Sequence, residues 1–187
     1  MIRLRLWGGV ELRLGADFFG VLCLSWELGG AGEGAAWAIL WAVLIHEGGH
    51  FLTYRLGGIP VRLCTFDYRG ICIRPRQGFY PFWAELGAVC AGSLCSFLWA
   101  ALAYPTPLPP VFWQSSLVMG VWSLLPLKGM DGGEIAALIA GRLWPGCEGG
   151  LRLFFIFTRA AVTILIVAGC IALQSVLPLF WAVCLWM

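Results

Sequence analysis

Both histidines of this chain fall within one pentapeptide, His46-Glu47-Gly48-Gly49-His50. Side chains four residues apart lie on one face of a helix, so the two imidazoles are preset as a pair of metal ligands. Glu47 stands beside the first ligand but is rotated around the helix. From there it reaches a water next to the metal and suits general-base work, passing the proton on to a leaving amine. The plain alternative is a pair of hydrogen-bonded core histidines. Burying two imidazoles and a carboxylate at membrane depth is costly without polar partners, which disfavours it. Haem ligation fails on geometry, because two histidines on one helix face cannot take opposite axial positions. A diiron oxidase fails on the histidine count.

Zinc suits this donor set, and it requires a third protein ligand while leaving a position open for water. A carboxylate at similar depth on another helix meets that need. Asp131 is the candidate, in Leu124-Leu125-Pro126-Leu127-Lys128-Gly129-Met130-Asp131-Gly132-Gly133. Pro126 and the glycines interrupt an apolar run there, and interrupted helices at membrane depth line polar cavities. Taken alone, an aspartate before Gly-Gly reads as a turn residue. Beside the histidine pair, ligation is the favoured reading.

The elements that carry these residues are those of a membrane protein. Hydrophobic residues make up 60% and charged residues 12% of the chain, and the mean hydropathy is +0.86. That leaves too little polar material to cover a water-soluble globule. Apolar stretches near the roughly 20 residues that cross a bilayer recur at 35–56, 83–104, 111–127 and 152–173. Two shorter runs, 16–29 and 175–187, bring the expected bundle to about six helices. The expected fold is an all-α polytopic membrane protein, a single domain over 1–187 with a catalytic core over 35–140.

The net charge of +2 is unevenly placed. Arg3, Arg5 and Arg13 precede the first run; Arg55, Arg62, Arg69, Arg74 and Arg76 occupy one connection; Lys128, Arg142, Arg152 and Arg159 surround another. Segments 27–34 and 105–110 carry no basic residue. The positive-inside rule then puts the N-terminus and the opening of the site on the cytoplasmic side. The N-terminus lacks the apolar core of a signal peptide. Eight cysteines are scattered without C-x-x-C spacing and read as small buried hydrophobes.

Two segments break the helical pattern. Residues 2–14 alternate around Gly8-Gly9, which predicts a hairpin with a two-residue turn and an apolar face on the membrane. Residues 59–74 predict a second hairpin turning over 67–70, which either caps the bundle or receives an extended substrate strand. No nucleic-acid partner is indicated; the expected partners are the lipid bilayer, a membrane-associated protein substrate and membrane regulatory proteins.

On these motifs the chain resembles the site-2 protease family of intramembrane zinc metalloproteases. His46–His50 matches the family's HExxH helix, and Met130-Asp131-Gly132-Gly133 its later leucine-Asp-Gly motif. Ala91-Gly92-Ser93-Leu94-Cys95-Ser96-Phe97 is similar to its A-G-P-L-A-N-F segment. The resemblance implies zinc on His46, His50 and Asp131, Glu47 as catalytic base, and substrate contacts at Gly92, Ser96 and Ser123. Ser93 replaces the usual proline, Ser96 and Ser123 replace asparagines, and Lys128-Gly129 replaces Pro-Pro. With no inserted PDZ-like or CBS-like domain, the chain looks most like the sporulation-type branch. That implies a bacterial cell or forespore membrane and a pro-sigma-factor substrate. The competing functions are a catalytically degenerate membrane binder of the same fold, and a small metal or proton transporter.

Overall fold

A computed structural model of the chain describes residues 2–5, 9–16, 34–67, 70–76 and 78–173. The expected runs at 16–29 and 175–187 lie almost wholly outside them. Contact clustering divides the chain into two compact units, Met1–Leu124 and Leu125–Met187.

Among the described residues the first unit contains three helices: α1 (Ala35–Leu56), α2 (Phe82–Ala103) and α3 (Pro110–Ser123). Their inward faces are built from small residues. These are Ala38 and Ala42 on α1, Ala88, Ala91, Gly92, Ser93, Ser96, Ala100 and Ala103 on α2, and Ser116, Gly120 and Ser123 on α3. Large apolar side chains point outward, among them Trp37, Leu44, Leu52, Leu94, Leu98, Leu102, Val118 and Val121. Small residues inside and large apolar residues outside are the arrangement of helices packed in lipid, where close backbone approach replaces the hydrophobic effect as the source of attraction. A water-soluble bundle would show the reverse.

A Cβ added at Gly49 would stand 2.7 Å from the Ala91 carbonyl oxygen and 2.8 Å from Cys95 Sγ, so α1 and α2 touch there because position 49 has no side chain. At the adjacent Gly48 an added Cβ would meet only open space.

The end of α1 sets the direction of the sheet. Gly58 takes a left-handed conformation, φ +68°, and Ile59 N–H donates back to the Tyr54 carbonyl at 2.8 Å while Gly58 N–H reaches Arg55. This is the Schellman arrangement, completed by contact between the apolar residues on either side of the turn. Ile59, 1% exposed, packs with Tyr54, Val10, Val61 and Ala88 in the small core that joins helix and sheet.

Both expected hairpins form, and they join into one four-stranded sheet. The strands are β1 (Ile2–Arg5), β2 (Glu11–Leu14), β3 (Val61–Asp67) and β4 (Gly70–Pro75). The pairs β1–β2 and β3–β4 are antiparallel, whereas β2 and β3 run parallel. The first hairpin departs from its two-residue turn at Gly8-Gly9, because Arg5 stands opposite Glu11, a register that leaves an odd number of residues between the paired strands. Val10, just before β2, enters the core with Ile59.

The second unit contains α4 (Asp131–Leu143) and α5 (Glu148–Leu173). Among the described residues α2 and α5 are the helices long and apolar enough to cross a membrane. The run expected over 111–127 is helical only over the 14 residues of α3, about 21 Å against a hydrocarbon core of about 30 Å. Pro126 stops it, since the residue before a proline is pushed out of the helical region.

Candidate metal centre

His46 and His50 project from α1 onto α2 and are 3% and 7% exposed. Each ring is held at its Nδ1 atom by a different kind of partner. His50 Nδ1–H donates to the Ala88 carbonyl at 2.8 Å, which sets that tautomer and leaves the Nε2 lone pair available. His46 Nδ1 lies 3.1 Å from Ser96 Oγ, itself fully buried. With Nδ1–H donating to that hydroxyl, His46 takes the same tautomer. This is the outer hydrogen bond that orients metal-bound histidines.

The two Nε2 atoms then face one another at 3.3 Å, with the rings nearly perpendicular, 82° apart. Two neutral nitrogens with facing lone pairs repel unless a cation or a proton lies between them. Two imidazole nitrogens bound to one tetrahedral zinc, about 2.0–2.1 Å from it, stand roughly 3.3–3.4 Å apart. The spacing, the burial and the His50 tautomer fit a shared zinc ion.

Gly92 makes room for this arrangement. A Cβ at that position would overlap His50 Nε2 and come within 2.7 Å of both neighbouring ring carbons. Sequence reasoning assigned Gly92 to substrate; the structure puts its bare Cα against the ligand ring. Ser96 and Ser123, assigned likewise, are also inside the bundle. Ser96 reaches His46, while Ser123 exchanges a 2.9 Å hydrogen bond with Ser93 across α2 and α3 and donates to the Gly120 carbonyl at 3.1 Å. No local sequence pattern announces these contacts, because each joins residues far apart in the chain.

Glu47 is partly buried on the neighbouring face of α1, where its carboxylate acts on the β3 residue Cys64. Desolvation first, then the Glu47 charge, then Cys72, push the Cys64 thiol up to about 11. The Cys64 thiol is therefore neutral at physiological pH.

In the second unit Asp131 is the first residue of α4, partly buried, with Met130 extended before it. It opens a helix rather than sitting in a turn. The approach is tightly bonded: Leu127 N–H to Leu125 O at 2.7 Å, Met130 N–H to Leu127 O at 3.0 Å, and Thr158 Oγ1 to Pro126 O at 2.8 Å. Gly129 is left-handed, φ +88°. A side chain at Gly133 would overlap the Leu127 carbonyl. These contacts fix the backbone on both sides of Asp131.

No protein-family model matches the chain, and no curated protein matches it. Among solved structures, the site-2 protease from Methanocaldococcus jannaschii is similar over 99% of this chain and 91% of that one, with a TM-score of 0.72 and 18% identity. The chain therefore shares the fold of a site-2 protease.

Proposed function

We propose that this chain is an intramembrane zinc metalloprotease that hydrolyses a peptide bond in or near a transmembrane segment of a protein substrate. The observation that carries the reading is the buried imidazole pair, each ring held at Nδ1 and the Nε2 atoms 3.3 Å apart, with a carboxylate at the next position of the same helix. The likeness in fold to a site-2 protease supports it.

In this reading His46, His50 and Asp131 hold the metal. Bound there, zinc supplies Lewis-acid polarisation of the scissile carbonyl. Glu47 takes a proton from the attacking water as the C–O bond forms, and then returns it to the amine nitrogen as the C–N bond breaks. Ser96 and the Ala88 carbonyl keep the ligand rings oriented, and Gly92 leaves His50 its space. Ser123 acts through the α2–α3 contact that supports Ser96. The large apolar side chains on the outer faces of the helices belong to the bilayer, and the basic connections place the N-terminus and the opening of the site in the cytoplasm. A membrane-associated pro-sigma factor is the substrate class to try first, with the sequence likeness to the sporulation-type branch as its basis.

Zinc content of the purified full chain tests the ligand set. Wild type is expected to carry one zinc through gel filtration, and His50→Ala and Asp131→Asn to lose it. An Asp131→Asn protein with full zinc would remove Asp131 from the set.

A further inference from the structure

The register of the sheet sorts its side chains into four rows. Arg5, Glu11, Leu63 and Arg74 form one, and Arg3, Arg13, Thr65 and Cys72 another. Leu4, Leu12, Cys64 and Ile73 form a third, and Ile2, Leu14, Phe66 and Ile71 the fourth. Alternate residues of a strand face opposite ways, so the first two rows make a polar, basic face and the last two an apolar one.

The apolar face is covered unevenly. At β4, Ile71 is 8% exposed and Ile73 packs on the core shared with α1. At β1, Ile2 and Leu4 are 60% and 48% exposed. On the basic face Arg3 stands directly opposite Arg13, a pairing of like charges that destabilises a ladder. Glu11 accepts a 2.8 Å ion-paired hydrogen bond from Arg13 Nε, and the charges of Arg3 and Arg5 also act on its carboxylate. Arg3, Leu4, Arg5, Glu11 and Arg13 line an open depression of about 470 Å³.

We propose that the β1–β2 hairpin binds anionic lipid headgroups, with Ile2, Leu4 and their neighbours resting in the acyl boundary and Arg3, Arg5 and Arg13 gathering the phosphates. The two faces of one hairpin match the two layers of the membrane surface, apolar toward the acyl chains and cationic at phosphate level. Guanidinium forks suit phosphate oxygens, and a phosphate between Arg3 and Arg13 turns a repulsive cross-strand pair into an attractive one. An acidic peptide would satisfy the arginines but would leave the adjoining apolar face bare. A lipid covers both. This surface is independent of the metal centre.

The test is lipid retention by the full-length protein in detergent, measured by native mass spectrometry with equal phosphatidylglycerol and phosphatidylcholine, with and without excess inorganic phosphate. Arg3→Gln/Arg5→Gln keeps the Arg13–Glu11 pair, and Arg5→Gln alone is the milder variant on the edge strand. Wild type is expected to retain phosphatidylglycerol in preference to phosphatidylcholine. Retention should fall about fivefold in the single variant and about thirtyfold in the double, from roughly 1 kcal/mol per basic residue near an anionic surface, with phosphatidylcholine unchanged. Equal retention of the two lipids by wild type, or equal phosphatidylglycerol retention by wild type and both variants, overturns the proposal. Displacement by inorganic phosphate overturns it as well, since the site would then recognise phosphate without the lipid. Unchanged thermal unfolding of the variants in detergent confirms that the losses are local.

Discussion

The α1–α2 contact and the outer β1–β2 hairpin use opposite means to hold a charge-bearing group. Among the described residues between the helices, those that meet the imidazoles are small and buried: Ala88, Gly92 and Ser96. On the hairpin the charged groups are long and reach solvent, and their positions follow from strand alternation. The difference teaches where this molecule tolerates change. A methyl group added at Gly92 displaces the His50 ring, whereas a charge removed from the hairpin should change little of the fold.

Gly92→Ala gives the largest expected effect on that interface. The new Cβ overlaps His50, so the ring or the helix must move, and zinc measured on the purified protein should be lost. A Gly92→Ala protein with wild-type zinc would show that α1 and α2 lie farther apart than described. Ser96→Ala removes the partner of His46 Nδ1, and chelator competition should report zinc affinity lower by about 10–100-fold. An unchanged affinity would mean that the hydroxyl does not orient the ring.

The two adjacent glycines of α1 form a sharper comparison. Gly49→Ala meets the Ala91 carbonyl and should cost about 1–3 kcal/mol in detergent unfolding. Gly48→Ala meets nothing and should stabilise by about 0.5–1 kcal/mol through helix propensity. Equal effects would refute the close approach at position 49. The smallest expected effect concerns Cys64. Raised to about 11, its thiol stays neutral below that pH. Glu47→Gln removes one cause of the shift, so the folded-state pKa falls and alkylation of the Cys64 peptide, followed by mass spectrometry near pH 9, should speed up. No change would place Glu47 away from β3.

Much of the site was legible because its chemistry is local. The i, i+4 spacing predicts from sequence alone that the two imidazoles meet, as they do at 3.3 Å, and the departure from helical period at 59–74 marked the strands. What was not legible depends on partners far apart in the chain. Nothing around Ser96 says that its hydroxyl meets a histidine fifty residues earlier, and nothing around Gly92 says that a ring fills the space beside it. The parallel pairing of β2 with β3 likewise joins two segments whose own patterns specify only hairpins. Val10 shows the same limit within one hairpin, since alternation predicts a strand residue and the core beneath Ile59 claims it.

The central claim is metal-dependent peptide hydrolysis at the imidazole pair, and the most direct measurement is cleavage of a co-reconstituted membrane-associated substrate by wild type and Glu47→Gln, with zinc quantified on both. The account predicts one zinc on each protein and cleavage by wild type alone. A wild-type protein without zinc, or a Glu47→Gln protein that cuts as fast as wild type, would contradict it.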